Sequence, residues 1–189
     1  LKTKSDQIVN LLDHSDPTNI IVSWSLNPQT VIDQEEKGAP SLAQRLESAK
    51  ACLDKGYRIG FHFDPIILIP GWEDAYQQLV NILCDSLPIA KVEWVSLGSF
   101  RYRPSLKSII KNRHPQTHLF TSEHLPSKDG KFRYLRPLRN HAYKTIRGYL
   151  KSRLEELNIY ICMETQEIWE GVTGKTPRSD EKLDQFFDL

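Results

Sequence analysis

Cysteine, methionine and long apolar runs are all scarce in this chain. Its 189 residues contain three cysteines and one methionine. The cysteines lie far apart without metal-ligand spacing, so the sequence predicts neither a disulfide framework nor a metal site, and favours a reducing, cytoplasmic compartment. The longest apolar stretch, 59–70, contains His62 and Asp64. We therefore expect no membrane-spanning helix, and no secretory signal is predicted.

Several familiar catalytic motifs are absent from the sequence as well. There is no glycine-rich phosphate loop, no GxSxG, no HExxH and no CxxC, so no single motif names a reaction. The only methionine is Met163, and the chain begins with Leu1. We expect either a trimmed initiator or the later part of a longer protein.

Charge is strongly segregated along the chain, although the totals of 25 basic and 24 acidic residues nearly cancel. Residues 101–153 carry fourteen basic and two acidic side chains, a net charge of +12, and the remainder carries −11. Such asymmetry favours a surface that binds a polyanion, although a basic helix can also be merely a solvated face.

Apolar patterning predicts alternating strands and helices, which is typical of βαβ units around a parallel sheet. The predicted strands are 19–27, 57–67, 91–100 and 159–163, and the predicted helices are 42–55, 73–87, 104–113, 139–157 and 166–172. Ser41 is the predicted N-cap of the first helix, with Arg45 facing outward. Residues 33–40 are predicted to be a polar linker. So few strands indicate an incomplete α/β barrel.

Two strands carry candidate site residues. Alternation places His62 and Asp64 on one face of their strand, which indicates a polar hydrogen-bonding or proton-transfer site at a barrel mouth, or a structural His–Asp pair. Ser23, Ser25 and Asn27 share one face of the preceding strand, where they could bind a carboxylate or ribose, or simply pack.

A basic hairpin is predicted over residues 118–137, because Asp129-Gly130 is a tight-turn signal between extended segments. Cations and aromatics alternate along it, which is typical of a DNA contact but is also found in solvated hairpins. The candidate DNA-binding residues are Lys131, Arg133, Tyr134, Arg136 and Arg139.

Several ordered motifs resemble one known family. The strings GFHFDPI, GWEDAY, VSLGSFRYRPSLKSIIK and DGKFRYLRPLR are similar to the spore photoproduct lyase family of the radical S-adenosylmethionine (AdoMet) superfamily, in its GFHFDPI-type branch. The resemblance implies the C-terminal half of a partial (β/α)6 TIM-like barrel over residues 1–174, with the 118–137 hairpin inserted. A polar, acidic tail would follow at 175–189.

The resemblance also implies cofactors and site residues. The whole enzyme would bind AdoMet and a [4Fe–4S] cluster held by a CxxxCxxC loop, which this sequence lacks. Lys4 and Ser25 match family residues beside the amino-acid moiety of AdoMet, and Ser23 and Asn27 would share that face. Arg133 and Tyr134 match hairpin residues that contact the DNA lesion. No catalytic residue is carried over.

The implied activity is reversal of a thymine dimer, 5-thyminyl-5,6-dihydrothymine, by 5′-deoxyadenosyl radical chemistry. Damaged DNA and the missing N-terminal half would be partners, and this chain alone would be inactive. Two alternatives stay open. One is a nucleic-acid-binding module without radical chemistry, and the other is an unrelated α/β-barrel enzyme that uses His62 and Asp64 on a phosphorylated substrate.

Overall fold

The structure, a computed structural model, describes residues 1–174, and the predicted tail at 175–189 lies outside them. Its strands are β1 (Lys2–Thr3), β2 (Ile21–Ser25), β3 (Arg58–Ile66), β4 (Val92–Ser99), β5 (Arg101–Tyr102), β6 (His124–Pro126), β7 (Phe132–Tyr134) and β8 (Ile159–Ile161). Its helices are α1 (Val9–Leu12), α2 (Gln29–Glu35), α3 (Leu42–Lys55), α4 (Trp72–Ser86), α5 (Pro104–Arg113), α6 (Arg136–Arg153) and α7 (Gln166–Thr173).

Five strands form one parallel sheet in the order β1-β2-β3-β4-β8. Its connections contain the longer helices, as parallel strands require. The prediction of an α/β fold built on a parallel sheet is therefore confirmed. Strands β5, β7 and β6 form a separate antiparallel sheet in that order. The predicted hairpin is thus joined by a third, two-residue strand.

Local signals set the helix ends as the sequence predicts. The Ser41 hydroxyl accepts a hydrogen bond from the backbone N–H of Gln44, and the side-chain oxygen of Gln44 accepts one from the backbone N–H of Ser41; this capping box starts α3. Gly56 ends the same helix in the left-handed conformation, with φ of 106°. The predicted linker at 33–40 is wrong at its start, because α2 extends through residue 35. The buried side chains of Val31 and Ile32 hold this short helix against the rest of the protein.

One face of the parallel sheet packs under the helices and forms the main core. Strand alternation sends Val22 and Trp24 of β2, and Phe61 and Phe63 of β3, into this core, where all four are 0% exposed. Burying side chains of this size contributes about 1.5–3 kcal/mol each. The opposite face of the same strands is left for polar side chains.

The outward orientation predicted for Arg45 is wrong. Its side chain is fully buried and bonds to the carbonyls of Ser25 and Pro40 and to the carboxylate of Glu36. A buried guanidinium is stable only when its donors are satisfied, and here each terminal nitrogen and Nε has an acceptor. Arg45 therefore ties α3 to the end of β2.

A second, aromatic cluster lies beneath the antiparallel sheet. The rings of Phe100 and Tyr102 stack with centroids 5.5 Å apart, and Phe120 meets Tyr102 edge-on at 5.0 Å. The ring of His124 lies 4.5 Å from that of Tyr134. Ile67, directly after β3, and Phe100, directly after β4, belong to this buried cluster. The cluster therefore holds the antiparallel sheet next to the carboxyl ends of β3 and β4.

Candidate functional site

A row of polar side chains crosses the free face of the parallel sheet. The strand register aligns Ser25 with His62, His62 with Ser96, and Ser96 with Tyr160. The ring of His62 binds the hydroxyl of Ser96 through Nδ1 at 2.5 Å and that of Ser23 through Nε2 at 2.9 Å. The predicted polar face is therefore present, and its members lie together.

His62 is held as a neutral ring. Burial, reinforced by the nearby Lys2 ammonium, lowers the pKa of His62 to about 4. Both ring nitrogens are already bonded to serines, so the ring links β2, β3 and β4 rather than presenting a free nitrogen. Any acid–base role for His62 would require one of these two hydrogen bonds to break.

Asp64 belongs to an ionic cluster and not to a His–Asp pair. Its carboxylate is 3.0 Å from Nη1 of Arg101 and 3.4 Å from the Lys2 ammonium. Gly98 makes room for it, because a Cβ at that position would lie 2.7 Å from Asp64 Oδ1. The structural His–Asp pair considered from sequence is thus absent among the described contacts, and Arg101 takes its place.

Glu36 is the hub of a second polar cluster, at the carboxyl ends of β1 and β2. Its carboxylate receives Lys4 at 2.8 Å, the Asn27 amide at 2.8 Å and Arg45 at 2.6 Å. Burial would raise the pKa of Glu36, but the hydrogen bonds from these three donors outweigh it and the pKa is lowered. Sequence reasoning missed this hub.

The four predicted cofactor residues differ in their availability. Asn27 is fully buried, and its carbonyl oxygen accepts from Tyr76, so both ends of its amide are occupied. The Ser23 hydroxyl bonds to His62 and to the carbonyl of Leu1. The structure gives the Ser25 hydroxyl no hydrogen-bond partner among the described residues. Lys4 keeps a half-exposed ammonium.

A cleft of about 740 Å³ opens beside Lys4. One wall is the end of α2 with the residues that follow it, up to Ala39, and the other is the end of α5 with residues 113–119. Arg113, His114 and Lys37 contribute cationic or polar groups to its lining. Within residues 1–174, Lys4 is the predicted cofactor-binding side chain that reaches an open cavity.

The hairpin residues divide into buried and exposed sets. Tyr134 is 2% exposed, its hydroxyl accepts from the backbone N–H of Leu68, and burial raises its pKa to about 12. Arg133 is also buried, bonding to Asp129 at 2.5 Å and to the carbonyl of Met163 at 3.2 Å. Neither side chain presents a free surface in this structure.

Of the other three candidates, Lys131 precedes β7, whereas Arg136 and Arg139 lie on α6, so the predicted hairpin bound of 118–137 extends too far. Lys131 is 3.8 Å from Asp129, and Arg136 is exposed and 3.5 Å from Glu167. Arg139 is largely buried, 2.9 Å from Glu164, and also bonds to the carbonyl of Tyr134. Lys131 and Arg136 are therefore the members of the predicted set that a ligand could reach without rearrangement.

The residues of this chain do not fit an iron–sulfur cluster. Cys52 is buried, and Cys84 and Cys162 are partly buried, all three free and on separate elements. Burial raises the pKa of Cys52 to about 11, which disfavours the thiolate that a metal needs. Across residues 1–174, no group of three or more histidine, cysteine, aspartate or glutamate side chains is placed to hold a metal.

The chain has the parallel sheet of an α/β fold, with a cleft and polar side chains at the carboxyl edge, which is where such folds bind ligands. A family model described as spore photoproduct lyase matches residues 1–161. The chain belongs to the spore photoproduct lyase family.

The helices within residues 1–174 include no candidate for a membrane span, since each is too short or too polar.

Relatives and solved structures agree with this assignment. A spore photoproduct lyase of Clostridium acetobutylicum is 32% identical over 133 residues, covering 70% of this chain and 39% of the relative. The Bacillus subtilis (strain 168) spore photoproduct lyase is 30% identical over 123 residues, covering 64% and 36%. The chain therefore spans less than half the length of these relatives.

Two solved structures share the fold. A spore photoproduct lyase complexed with dinucleoside spore photoproduct superposes with a TM-score of 0.73 at 25% identity, over 85% of this chain and 49% of that one. A doubly substituted spore photoproduct lyase with bound AdoMet and the same dinucleoside gives a TM-score of 0.73 at 24% identity, over 87% and 50%. The chain spans about half of each.

Proposed function

We propose that this chain is the C-terminal portion of a spore-photoproduct-lyase-type enzyme, which reverses 5-thyminyl-5,6-dihydrothymine in DNA. The observation that carries the proposal is the family match over residues 1–161, together with matched structures of which the chain covers about half. The absent CxxxCxxC loop would then lie in the other half of the polypeptide, together with the [4Fe–4S] cluster. The parallel sheet would complete a partial (β/α)6 barrel with that half.

AdoMet is the cofactor that the donor set fits. When bound, it supplies the 5′-deoxyadenosyl group for radical chemistry, as in the rest of its superfamily. The Lys4 ammonium would bind its carboxylate, since a charged donor suits that group. The Ser25 hydroxyl also suits a carboxylate, but it is 3% exposed and would need the face above it to open. Lys4 would have to exchange part of its contact with Glu36, whereas Ser23 and Asn27 would support the site from within the sheet.

The hydrogen-bonded row of Ser23, His62 and Ser96 would line the site with side chains that are uncharged near neutral pH. His62 is neutral, and its contacts with Ser23 and Ser96 fill both ring nitrogens. A radical site benefits from such a surface, because the protein's task is to orient groups and exclude side reactions. The same occupancy argues against His62 as the acid–base residue of an enzyme for phosphorylated substrates.

DNA would approach over the antiparallel sheet. Lys131 and Arg136 would contact phosphates directly, and Arg139 would fix the start of α6. Arg133 and Tyr134 are matched by the family, but their burial favours a role in holding the hairpin's shape. A direct contact of either side chain with a base would need the hairpin to open.

The test is turnover by the polypeptide encoded by the whole reading frame that contains this chain. With AdoMet and a reductant under anaerobic conditions, we expect dinucleoside spore photoproduct to be converted to two thymidines. Lys4→Met is expected to raise the KM for AdoMet, whereas Lys55→Met, at an exposed site outside the polar face and the cleft, is not. DNA binding without any conversion would instead favour the nucleic-acid-binding alternative.

A further inference from the structure

Helix α5 is a surface helix with no buried residue along its ten positions. Its last turn reaches the cleft through Ile110 and Arg113, and Lys107 lies 5.8 Å from the ring of Phe120 in the aromatic cluster. A helix of this length extends about 15 Å. It therefore runs from the antiparallel sheet to the cleft beside Lys4, along the edge where the candidate site opens.

The charge of this segment is of one sign. Residues 101–122 contain five arginines and lysines and not one aspartate or glutamate. The exposed cations on the helix and at its N-cap are Arg103, Lys107, Lys111 and Arg113. Among residues 1–174, none of these four has a carboxylate within ion-pair distance, whereas Arg133, Arg136 and Arg139 each do.

Three of these cations lie on one line. Lys107 and Lys111 are four residues apart on the helix and therefore lie about 40° apart around its axis, and Arg103, the N-cap, precedes Lys107 by the same spacing. Successive members are about 6 Å apart along the axis, which makes a cationic row about 12 Å long. Self-repulsion within such a row is relieved when an anionic chain lies along it.

We propose that this row is a second phosphate-binding surface, distinct from the hairpin, which holds the sugar–phosphate backbone of DNA outside the reacting bases. The inference rests on DNA being the substrate, as proposed above. Contacts to phosphates carry no sequence information, so the row would set affinity and position rather than lesion choice.

An anionic membrane is the other polyanion that a basic helix could bind, and α5 is poorly built for it. Its apolar side chains on the open side are Leu106 and Ile109, which are 42% and 44% exposed. The helix has no aromatic residue, whereas interfacial helices bury a broad apolar face with bulky anchors. The apolar area available is too small to hold the helix in a lipid interface.

The test measures binding of a fluorescein-labelled 20-base-pair undamaged duplex to the 189-residue chain by anisotropy between 50 and 200 mM salt. The α5 variant is Arg103→Gln/Lys111→Gln, and its control is Lys55→Gln/Lys91→Gln, which removes the same charge at exposed positions before β3 and β4. Two lost phosphate contacts lower the salt slope by about 1.8. Wild type and control should therefore lose about tenfold more affinity than the α5 variant across this fourfold range of salt.

The outcomes separate the two proposals. Equal salt slopes for the α5 and control variants would overturn the inference. Loss of binding confined to a Lys131→Gln/Arg136→Gln variant would also overturn it, while supporting DNA binding at the hairpin and the start of α6. No binding by the wild type at 50 mM salt would overturn DNA as the partner. Binding of phosphatidylserine vesicles that depends on Arg103 and Lys111, without duplex binding, would also overturn the inference, in favour of a membrane.

Discussion

The Glu36 hub can be tested by removing each end of its buried ion pair. The guanidinium of Arg45 is fully buried and lies 2.6 Å from the Glu36 carboxylate. Glu36→Gln removes the negative charge opposite that buried cation, and loss of one partner of such a pair costs about 3–5 kcal/mol. Arg45→Met should cost about 2 kcal/mol, because Lys4 and Asn27 still bind the remaining carboxylate.

The assay is urea unfolding of the two single variants and the double variant. Because the double variant leaves neither charge unpaired, its cost should fall short of the sum by about 2 kcal/mol. The matched control is the Lys50–Asp54 pair on the same helix, whose side chains are 53% and 63% exposed. Neutralising that pair should show coupling below about 0.5 kcal/mol. Coupling at the Glu36 pair no larger than at the control would refute the reasoning.

The dependence of stability on acid pH tests the same ion pair independently. The pKa of Glu36 is lowered from its ordinary 4.5 in the folded protein, so the unfolded chain binds its proton first as pH falls. The stability that this group contributes is present above the unfolded value and is lost as pH falls through the folded one. Glu36→Gln should remove that part of the acid sensitivity.

Three further predictions concern the sheet and the hairpin. The pKa of His62 is about 4 in the folded protein against 6.5 ordinarily, so the free energy of unfolding should drop by about 3 kcal/mol as pH falls from 6.5 to 4. Urea melts over this pH range measure the drop. A His62→Gln variant whose stability falls as steeply with pH as that of the wild type would contradict the prediction. Gly98→Ala should cost about 1–3 kcal/mol, since its Cβ would meet Asp64 at 2.7 Å. The control is Gly148→Ala in mid-helix, where the new Cβ meets nothing within 4 Å and should stabilise the protein by about 0.5–1 kcal/mol. Thermal melts that rank the two variants the other way would contradict the prediction. Tyr134→Phe removes the acceptor of the part-buried backbone N–H of Leu68 and should cost about 1 kcal/mol in urea melts. A neutral result would mean that the hairpin is not anchored there.

Much of the fold follows from local patterns. Alternation along β2 and β3 separates the apolar face from the polar one correctly, and Ser41 and Gly56 mark both ends of α3. These features depend on side chains a few residues apart, which a sequence displays directly. The coarse position of the candidate site at one edge of the sheet follows from them.

The hub at Glu36 could not be predicted so directly, because it forms only when α2 and α3 dock on the end of β2. One signal was available: Arg45 shares its helical face with Leu42, Leu46 and Ala49, and a cation there indicates a buried partner. The burial of Tyr134 depends likewise on β5, a two-residue strand too short to show a pattern.

The central claim is that this chain is one part of a longer radical AdoMet enzyme. The most direct measurement is the nucleotide sequence immediately upstream of the codon for Leu1. We expect an open reading frame that encodes a CxxxCxxC loop within roughly the length of one domain. A stop codon directly before Leu1, with no in-frame start that includes such a loop, would contradict the claim.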